Sequence, residues 1–261
     1  MSGRRILVTG AASGIGQALA DHMRGRGDEV ISVDREEGAD ILGCDLSNPA
    51  AIAAFADGLS RPLDGVAHVA GLPGTHPPET ILQVNFCAMR QLTGALGPKL
   101  ATPATLVAVS SITAHRCTLP EARLADLIDA PDDAILSQAA GMDGTEAYAF
   151  SKRLVNIWVE ALAARTSDTG LRANAVAPGP VETPILGDFR KSMGREKIAK
   201  AAELAGRHGT PSEIATAAAF LLSPEASWVN GVILDCDGGF NAARRVAARS
   251  QTETNPHRET A

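Results

Sequence analysis

The stretch Thr9-Gly10-Ala11-Ala12-Ser13-Gly14-Ile15-Gly16 follows the apolar run Ile6-Leu7-Val8 and leads into a segment with helical periodicity. Glycines let the backbone turn sharply between a strand and a helix and approach a pyrophosphate closely. The helix that follows points unpaired N–H groups and the positive end of its dipole at such an anion. Plain strand-to-helix turns can also carry a glycine loop, so the surrounding sequence must decide between the two interpretations.

The loop opens a regular alternation of short β-branched runs with Ala-rich helical patterns. This alternation predicts an α/β fold of the Rossmann type, a doubly wound, seven-stranded parallel sheet flanked by helices on both faces. We expect one dinucleotide-binding catalytic domain over residues 1–246. The predicted strands are 4–9, 29–33, 41–43, 65–69, 106–109, 172–176 and 232–235, and the predicted helices are 14–26, 49–59, 79–98, 145–167, 190–206 and 212–222.

Three segments depart from this alternation. Residues 117–144 are acidic and predict a helical insertion between a strand and a helix. Residues 184–208 mix apolar and charged side chains, which is typical either of a lid over an apolar substrate or of a plain pair of surface helices. Residues 247–261 are polar and nearly free of large apolar side chains, which predicts a disordered tail.

The bulk composition narrows the possible partners. A net charge of −6 argues against nucleic acid or an anionic membrane surface as the main partner. The cysteines are scattered and the histidines show no metal-ligand spacing, so we expect reduced thiols and no metal. With no signal-peptide pattern and no long apolar run, the expected location is cytoplasmic.

Two carboxylates are candidates for binding a dinucleotide. Asp34 ends the second predicted strand, 18 residues after Gly16, where it would accept hydrogen bonds from an adenosine ribose. Its charge would repel a 2′-phosphate, which favours NAD(H) over NADP(H), although Arg35 beside it could hold that phosphate. Asp45 could bind the adenine amino group or cap the helix that starts near Ser47.

The candidate reaction centre is a tyrosine–lysine pair. Tyr148 and Lys152 are four residues apart on a predicted helix and therefore face the same way. An ammonium group and a positively charged nicotinamide nearby would lower the pKa of the phenol, making Tyr148 a general acid or base. Ser111 follows the fifth strand at the carboxyl edge of the sheet, where its hydroxyl would bind the substrate oxygen.

Taken in order, these motifs resemble the short-chain dehydrogenase/reductase family over about residues 1–245. Further matching motifs are Asp45-Leu46, Ala70-Gly71, Asn85, Ser110-Ser111, and Asn174-Ala175-Val176-Ala177-Pro178-Gly179 with Thr183. Within the family the chain is most similar to the bacterial 3α-hydroxysteroid dehydrogenase/carbonyl reductase group, which shares the 37-residue step from Ser111 to Tyr148. One departure is His68-Val69 before Ala70-Gly71, where most of the family has two asparagines.

The resemblance implies NAD(P)-linked hydride transfer between an alcohol and a carbonyl. It implies a catalytic set of Asn85, Ser111, Tyr148 and Lys152, in which Lys152 also binds the nicotinamide ribose and Asn85 holds a water. The implied cofactor-binding set is Gly10, Ser13, Gly14, Ile15, Gly16, Asp34, Arg35, Asp45, Leu46, Ala70, Gly71, Tyr148, Lys152, Pro178, Gly179, Val181 and Thr183. The candidate substrate contacts are Ser111, Ile112, Thr113, Ile185, Leu186 and Phe189.

The leading functional prediction is NAD-dependent oxidation of a secondary alcohol on a hydroxysteroid or similar apolar cyclic substrate. The alternatives are a dehydrogenase or reductase of aromatic or sugar-derived compounds and a non-catalytic dinucleotide sensor. A helical insertion at 117–144 would cover a surface through which the family usually assembles, or would form part of the substrate rim. We therefore expect a homodimer through residues 212–238, with a homotetramer as the alternative.

Overall fold

A computed structural model describes residues 3–253 of the 261-residue chain. Within that range one sheet is formed, with every neighbouring pair of strands parallel. Its strands are β1 Arg5–Thr9, β2 Glu29–Asp34, β3 Ile41–Gly43, β4 Leu63–His68, β5 Leu100–Val109, β6 Leu171–Pro178 and β7 Ile233–Cys236. The spatial order β3-β2-β1-β4-β5-β6-β7 places β1 beside both β2 and β4, where the winding reverses. The predicted doubly wound parallel sheet is confirmed.

The helices follow the prediction as far as α10, with two differences. They are α1 Gly14–Gly25, α2 Pro49–Asp57, α3 Pro78–Leu82, α4 Ala88–Leu96, α5 Glu121–Leu127, α6 Asp132–Leu136, α7 Gly144–Arg165, α8 Leu186–Met193, α9 Arg195–Ala205, α10 Pro211–Leu222 and α11 Phe240–Glu253. The predicted helix 79–98 contains a π-helical turn, Gln83–Cys87, between α3 and α4. The predicted helix 190–206 is two helices, because Gly194 has a φ of 91°, which no α-helix accommodates.

The sheet is buried on both faces, as its continuous apolar strands require. Side chains alternate along β1, so Ile6 and Val8 face one helical layer while Leu7 faces the other, and all three are fully buried. Ile6 and Val8 pack with residues of α1 and α10, and Leu7 packs with residues of α2 and α4. Trp158 of α7 lies in the core beneath β5 and β6, where the sequence placed it.

The turn between β1 and α1 depends on glycine at defined positions. Gly10 and Gly14 have φ values of 68° and 56°, in the left-handed region. A Cβ atom on Gly16 would lie 2.0 Å from the Gly10 carbonyl oxygen. The chain therefore folds back on itself here more tightly than any side chain would permit, and the N-terminus of α1 comes close to the end of β1.

The insertion at 117–144 is helical, as predicted, and packs against the body of the domain. Leu124, Leu127 and Ile135 are buried in the core that α7 also lines. At its edges, Arg165 of α7 donates to Asp129 at 2.8 Å, and Arg90 of α4 donates to the Ile128 carbonyl at 2.8 Å. The insertion therefore covers α4 and α7.

The C-terminal helix α11 is a correction to the sequence prediction. The sequence predicted no helix beyond 222 and a disordered tail from 247, yet residues 247–253 belong to α11. The Asp237 carboxylate accepts the N–H groups of Gly239 at 2.9 Å and Asn241 at 2.8 Å, which starts the helix. Its Ala and Arg residues favour helix, but an exposed helix needs no large apolar stripe, so periodicity gave no signal. Residues 254–261 of the predicted tail lie outside the described residues.

Candidate active site

A cleft of about 490 Å³ opens at the carboxyl edge of the sheet. It brings together fourteen of the predicted site residues, namely Ile15, Gly71, Ser111, Ile112, Thr113, Tyr148, Lys152, Pro178, Gly179, Val181, Thr183, Ile185, Leu186 and Phe189. Leu46, Ala70, Asn85 and Lys152 line a much smaller cavity of about 10 Å³. Gly10, Ser13, Gly14, Gly16, Asp34, Arg35 and Asp45 line neither space and lie at the ends of β1, β2 and β3 or in the first turn of α1.

Asp34 lies against the glycine loop. Its carboxylate accepts the Ala12 N–H at 2.9 Å and the Arg35 N–H at 2.7 Å. The Arg35 side chain is exposed and its guanidinium pairs with Glu36 at 3.0 Å, so it is directed to its neighbour in sequence. Ser13 occupies the N-cap position of α1, but its side chain makes no capping hydrogen bond.

Asp45 shapes the turn before α2. Its Oδ1 accepts the Ser47 N–H at 2.8 Å and the Ser47 hydroxyl at 2.7 Å, and these hydrogen bonds hold the pKa of the carboxyl below its usual range. The cap of α2 is Asn48, which accepts the Ala50 N–H at 3.0 Å. The alternative interpretation of Asp45 as the helix cap is therefore wrong.

The turn after β4 is fastened to β1 by a threonine that the sequence prediction did not include. The Thr9 hydroxyl oxygen accepts the N–H groups of Val69 at 3.0 Å and Ala70 at 3.2 Å. A Cβ atom on Gly10 would lie 2.8 Å from the Ala70 Cα, so these two segments are in close contact. His68, which replaces a family asparagine, is buried within hydrogen-bond distance of the Thr93 hydroxyl, 2.8 Å away. Burial lowers the pKa of His68 to about 3, so the ring is neutral at physiological pH.

The tyrosine–lysine pair is set by the start of α7. Asp143 and Glu146 form a reciprocal capping box at this end of the helix, with both hydrogen bonds at 2.8 Å. Lys152 is buried and its Nζ donates to the Val109 carbonyl oxygen at 2.8 Å, at the end of β5. The same Nζ lies 5.8 Å from the centroid of the Tyr148 ring. Helix and strand are thus joined at the reaction centre.

Asn85 lies in the π-helical turn, and its side chain is fully engaged. Its Oδ1 accepts the Leu72 N–H at 2.7 Å, while its Nδ2 donates to the Leu72 carbonyl at 3.0 Å and to Ser151 Oγ at 3.1 Å. A Cβ atom on Gly71 would lie 3.3 Å from Asn85 Oδ1 and 3.4 Å from Lys152 Nζ. The Asn85 amide therefore fixes the loop after β4 beside the lysine.

Burial changes the acid–base properties of both members of the pair. It raises the pKa of Tyr148 to about 12, although a hydrogen bond with Ser111 acts in the opposite direction. It lowers the pKa of Lys152 to about 8. The rise for Tyr148 is opposite to the expected lowering by the ammonium. The reason is that the ring is almost wholly enclosed, while the ammonium is hydrogen-bonded to Val109.

The enclosure comes from the lid segment, α8 and α9. The Phe189 ring of α8 packs edge-on against Tyr148, with centroids 5.1 Å apart and an angle of 62° between the planes. The Thr145 hydroxyl at the start of α7 donates to the Ser192 carbonyl at 3.0 Å, which attaches the lid to the catalytic helix. Leu186, Phe189 and Met193 line the cleft, which favours a lid over a plain pair of surface helices.

One wall of the cleft was not predicted from the sequence. It is formed by Arg116, Lys197, Ile198, Lys200, Leu204, Phe240 and Arg244. Most of these residues lie on α9 and α11, and the available signal was the mixed apolar and basic character of the lid. None of the lining residues comes from 117–144, which leaves the predicted substrate-rim role of the insertion without support.

These residues fit a nicotinamide dinucleotide. The β1–α1 turn leaves no space for side chains and presents the N-terminus of α1, which suits a pyrophosphate. Asp34 at the end of β2 offers a carboxylate to a ribose. Across residues 3–253 no cluster of three or more His, Cys, Asp or Glu could hold a metal ion, and no helix combines the length and apolar character needed to span a membrane.

Comparison with known proteins agrees with this geometry. A family model described as "Enoyl-(Acyl carrier protein) reductase" matches residues 134–241. A coniferyl-alcohol dehydrogenase from Pseudomonas sp. (strain HR199 / DSM 7063) is 30% identical, over 92% of this chain and 97% of its own length. A 3-alpha-hydroxysteroid dehydrogenase/carbonyl reductase from Comamonas testosteroni is 33% identical, over 92% of this chain and 97% of its own length.

A solved structure shares the fold closely. The 3-alpha-hydroxysteroid dehydrogenase from Pseudomonas sp. B-0831, crystallised with NADH, matches with a TM-score of 0.82 and 32% identity. The match covers 93% of this chain and 98% of that one. The resemblance stated from the sequence motifs is confirmed: the chain belongs to the short-chain dehydrogenase/reductase family and is an oxidoreductase of that family.

Proposed function

We propose that this chain interconverts a secondary alcohol and a carbonyl with NAD(H), on a hydroxysteroid or a similar apolar cyclic substrate. The observation that carries the proposal is the position of Ser111, Tyr148 and Lys152 on one cleft, next to the glycine turn. The cleft has an apolar lining formed by Ile112 and by lid residues such as Leu186. This lining supports an apolar substrate over a sugar.

Bound NAD(H) would supply the hydride acceptor or donor, held by the glycine turn, Asp34, Lys152 and the segment from Pro178 to Thr183. Ser111 would orient the substrate oxygen. Its Oγ accepts hydrogen bonds from the Thr113 N–H at 3.2 Å and the Thr113 hydroxyl at 2.9 Å. The remaining Ser111 proton is then available to a substrate oxygen or to Tyr148.

Tyr148 would carry the proton that accompanies the hydride. A pKa of about 12 keeps its hydroxyl protonated at neutral pH, the form that donates to a carbonyl oxygen in reduction. Oxidation requires the phenolate, and the Lys152 ammonium is the cation that would stabilise it. Asn85 would hold the loop at Leu72 in place and, as the family resemblance implies, a water between Lys152 and the solvent.

Two other functions remain as alternatives. A dehydrogenase or reductase of aromatic compounds is supported by the similarity to a coniferyl-alcohol dehydrogenase. A non-catalytic dinucleotide sensor has weaker support, because it would not need Ser111, Tyr148 and Lys152 together on the cleft that also meets the glycine turn.

The first prediction concerns the proton-transfer group. Tyr148→Phe removes one hydroxyl but keeps the ring that packs against Phe189. We expect kcat for oxidation of a cyclic secondary alcohol to fall about 10²- to 10⁴-fold or more, because a positioned acid–base group contributes at least that much. Stopped assays at 340 nm measure turnover, and quenching of protein fluorescence measures NADH binding, which should stay within twofold. A variant that keeps more than a tenth of its turnover would refute the role of Tyr148.

The second prediction concerns the choice of dinucleotide. Asp34→Asn keeps a hydrogen-bond acceptor for the Ala12 N–H and removes the negative charge. We expect the ratio of kcat/KM for NAD⁺ to that for NADP⁺ to fall at least about tenfold, since about 1.4 kcal/mol of repulsion corresponds to that factor. Asp57→Asn, at the C-terminal end of α2, loses the same charge at the opposite edge of the sheet and should leave the ratio unchanged. An unchanged ratio in Asp34→Asn would contradict the proposed NAD preference.

The third prediction uses the pH dependence of stability. The folded-state pKa of Lys152, about 8, is below its ordinary value of 10.5, so the unfolded chain binds the proton more tightly. Stability therefore falls as the pH drops from 10.5 to 8, and below that the penalty is constant. Lys152→Met removes the penalty together with the catalytic group. Its gain in Tm over the wild type should be largest at pH 7 and shrink towards pH 10.

Lys99→Met is the matched control for this experiment. Lys99 also donates to a carbonyl oxygen, that of Leu59 at 2.9 Å, but it is only partly buried. Because Lys99 is less buried than Lys152, its replacement should not reproduce the pH-dependent gain in Tm. A difference between Lys152→Met and the wild type that does not change with pH would contradict the burial of a charged lysine. Calorimetry or thermal circular dichroism provides the measurement.

The fourth prediction concerns assembly. We propose a cytoplasmic homodimer formed through residues 212–238. Support for the dimer comes from Trp228, which is 99% exposed, and Phe220, which is 45% exposed, both within that segment. The four free cysteines support the proposed cytoplasmic location, because the cytosol keeps thiols reduced. Cell fractionation tests that location. Size-exclusion chromatography with light scattering should give a dimer for the wild type and a larger monomer fraction for Trp228→Ser. A tetramer would contradict the proposed assembly.

A further inference from the structure

Part of the cleft wall is positively charged. Arg116, Lys197, Lys200 and Arg244 all contribute to its wall, and all four are exposed at its mouth. No aspartate or glutamate is among the residues that line the cleft in the part of the chain the structure describes. This contrasts with the whole chain, in which 30 acidic residues outnumber 24 basic ones.

The four cations come from three separate elements. Lys197 and Lys200 are three residues apart on α9 and therefore share a face of that helix. Arg244 projects from α11, which lies against the end of α9, since a Cβ atom on Gly238 would lie 2.9 Å from the Ala205 Cβ. Arg116 follows Ser111 by five residues. We call these residues the cationic rim.

The rim differs from the other basic residues near it because it lacks carboxylate partners. Arg245 pairs with Asp235 at 3.6 Å, and Lys191 pairs with Asp188 at 2.8 Å. His115 also faces Asp235, at 3.8 Å. Among the side chains that the structure describes, no carboxylate lies within 4 Å of a rim cation. Glu196 and Glu203 lie on α9 within four residues of Lys200, yet neither pairs with it.

The arrangement combines an apolar interior with charge at the mouth. Between the rim and Tyr148 the wall is made of apolar side chains such as Phe189, Ile198 and Leu204. The Arg244 guanidinium lies over the Phe240 ring, 5.6 Å from its centroid, which restrains the cation at the edge of this apolar surface. Charges of one sign around a cleft with low-dielectric walls concentrate ligands of the opposite sign.

From this geometry we infer that the substrate carries a carboxylate on the side of its apolar body remote from the reacting hydroxyl. The inference rests on the proposed function and narrows its substrate class. The dinucleotide pyrophosphate is a second possible source of negative charge. We favour the substrate because the rim lies on the lid, on α11 and beyond Ser111, whereas Gly10, Gly14 and Gly16 of the glycine turn do not line the cleft.

The test uses matched substrate pairs. Each pair consists of an alicyclic hydroxy acid and its neutral carboxamide, with monocyclic, bicyclic and steroid bodies. For the wild-type enzyme with NAD⁺ we expect kcat/KM to favour the acid at least about tenfold at low salt, and the preference to shrink at high salt, where the charges are screened. In the double variant Lys197→Gln/Arg244→Gln the acid preference should fall at least tenfold, because kcat/KM falls further for the acid than for the neutral carboxamide.

Arg245→Gln is the matched control, since Arg245 is adjacent on α11 but pairs with Asp235 and does not line the cleft. It should keep the acid preference. The Kd of NADH should stay within twofold in all variants. If the double variant weakens NADH binding and affects both members of each pair equally, the rim serves the cofactor and the inference is overturned.

A second measurement separates this inference from the proposed function. Calorimetry of the hydroxy acid and the hydroxy amide binding to the enzyme–NADH complex, a dead-end combination in which no hydride can be transferred, reports charge recognition without turnover. Tighter binding of the acid that disappears in the double variant supports the inference even if no alcohol in the panel is oxidised, an outcome that would contradict the proposed function alone. Turnover of the carboxamide with no preference for the acid in either measurement would overturn the inference alone.

Discussion

The hydrogen bond from Lys152 Nζ to the Val109 carbonyl oxygen joins the catalytic helix to the central sheet at the reaction centre. Val109 ends β5, and Lys152 lies two turns into α7, so this 2.8 Å contact fixes the distance between strand and helix together with the hydrogen bond from Ser110 Oγ to the Lys152 carbonyl at 3.2 Å. The same contact satisfies a cation that would otherwise be buried without a partner. Asn85 and the loop after β4 are arranged around this lysine, and the glycine turn is arranged around that loop through Thr9.

Enclosure of the site makes its two ionisable side chains, Tyr148 and Lys152, harder to charge. Phe189 packs on Tyr148, and the burial of Tyr148 and Lys152 moves their pKa values in the directions that disfavour their charged forms. Burial also strengthens oriented hydrogen bonds such as those of Ser111. In this arrangement Tyr148 and Lys152 are harder to ionise, but the groups around the substrate oxygen are held in a fixed geometry.

Much of this could be predicted from local sequence. The glycine turn, Asp34 and the Tyr148–Lys152 pair each depend on spacing within one strand–helix unit, and parallel strands bring such units to a common edge. The cationic rim could not be predicted, because Arg116, Lys197 and Arg244 are far apart in sequence and become neighbours only through tertiary packing. The pKa of Tyr148 was expected to fall, since a sequence shows the ammonium but not the enclosure by the lid. Hydrophobic periodicity could not predict helix α11, because an exposed helix needs no apolar stripe.

Helix α11, which follows β7, contributes to the part of the cleft that would select the substrate. Phe240 and Arg244 form part of the cleft wall, yet α11 follows the last strand and carries none of the groups that handle the proton or the dinucleotide. Such a segment can be exchanged or extended without rebuilding the sheet, because within residues 3–253 no strand follows it. Different parts of the chain thus supply the catalytic chemistry and the selection of the substrate. In evolution, the choice of substrate could change while the catalytic chemistry stays the same.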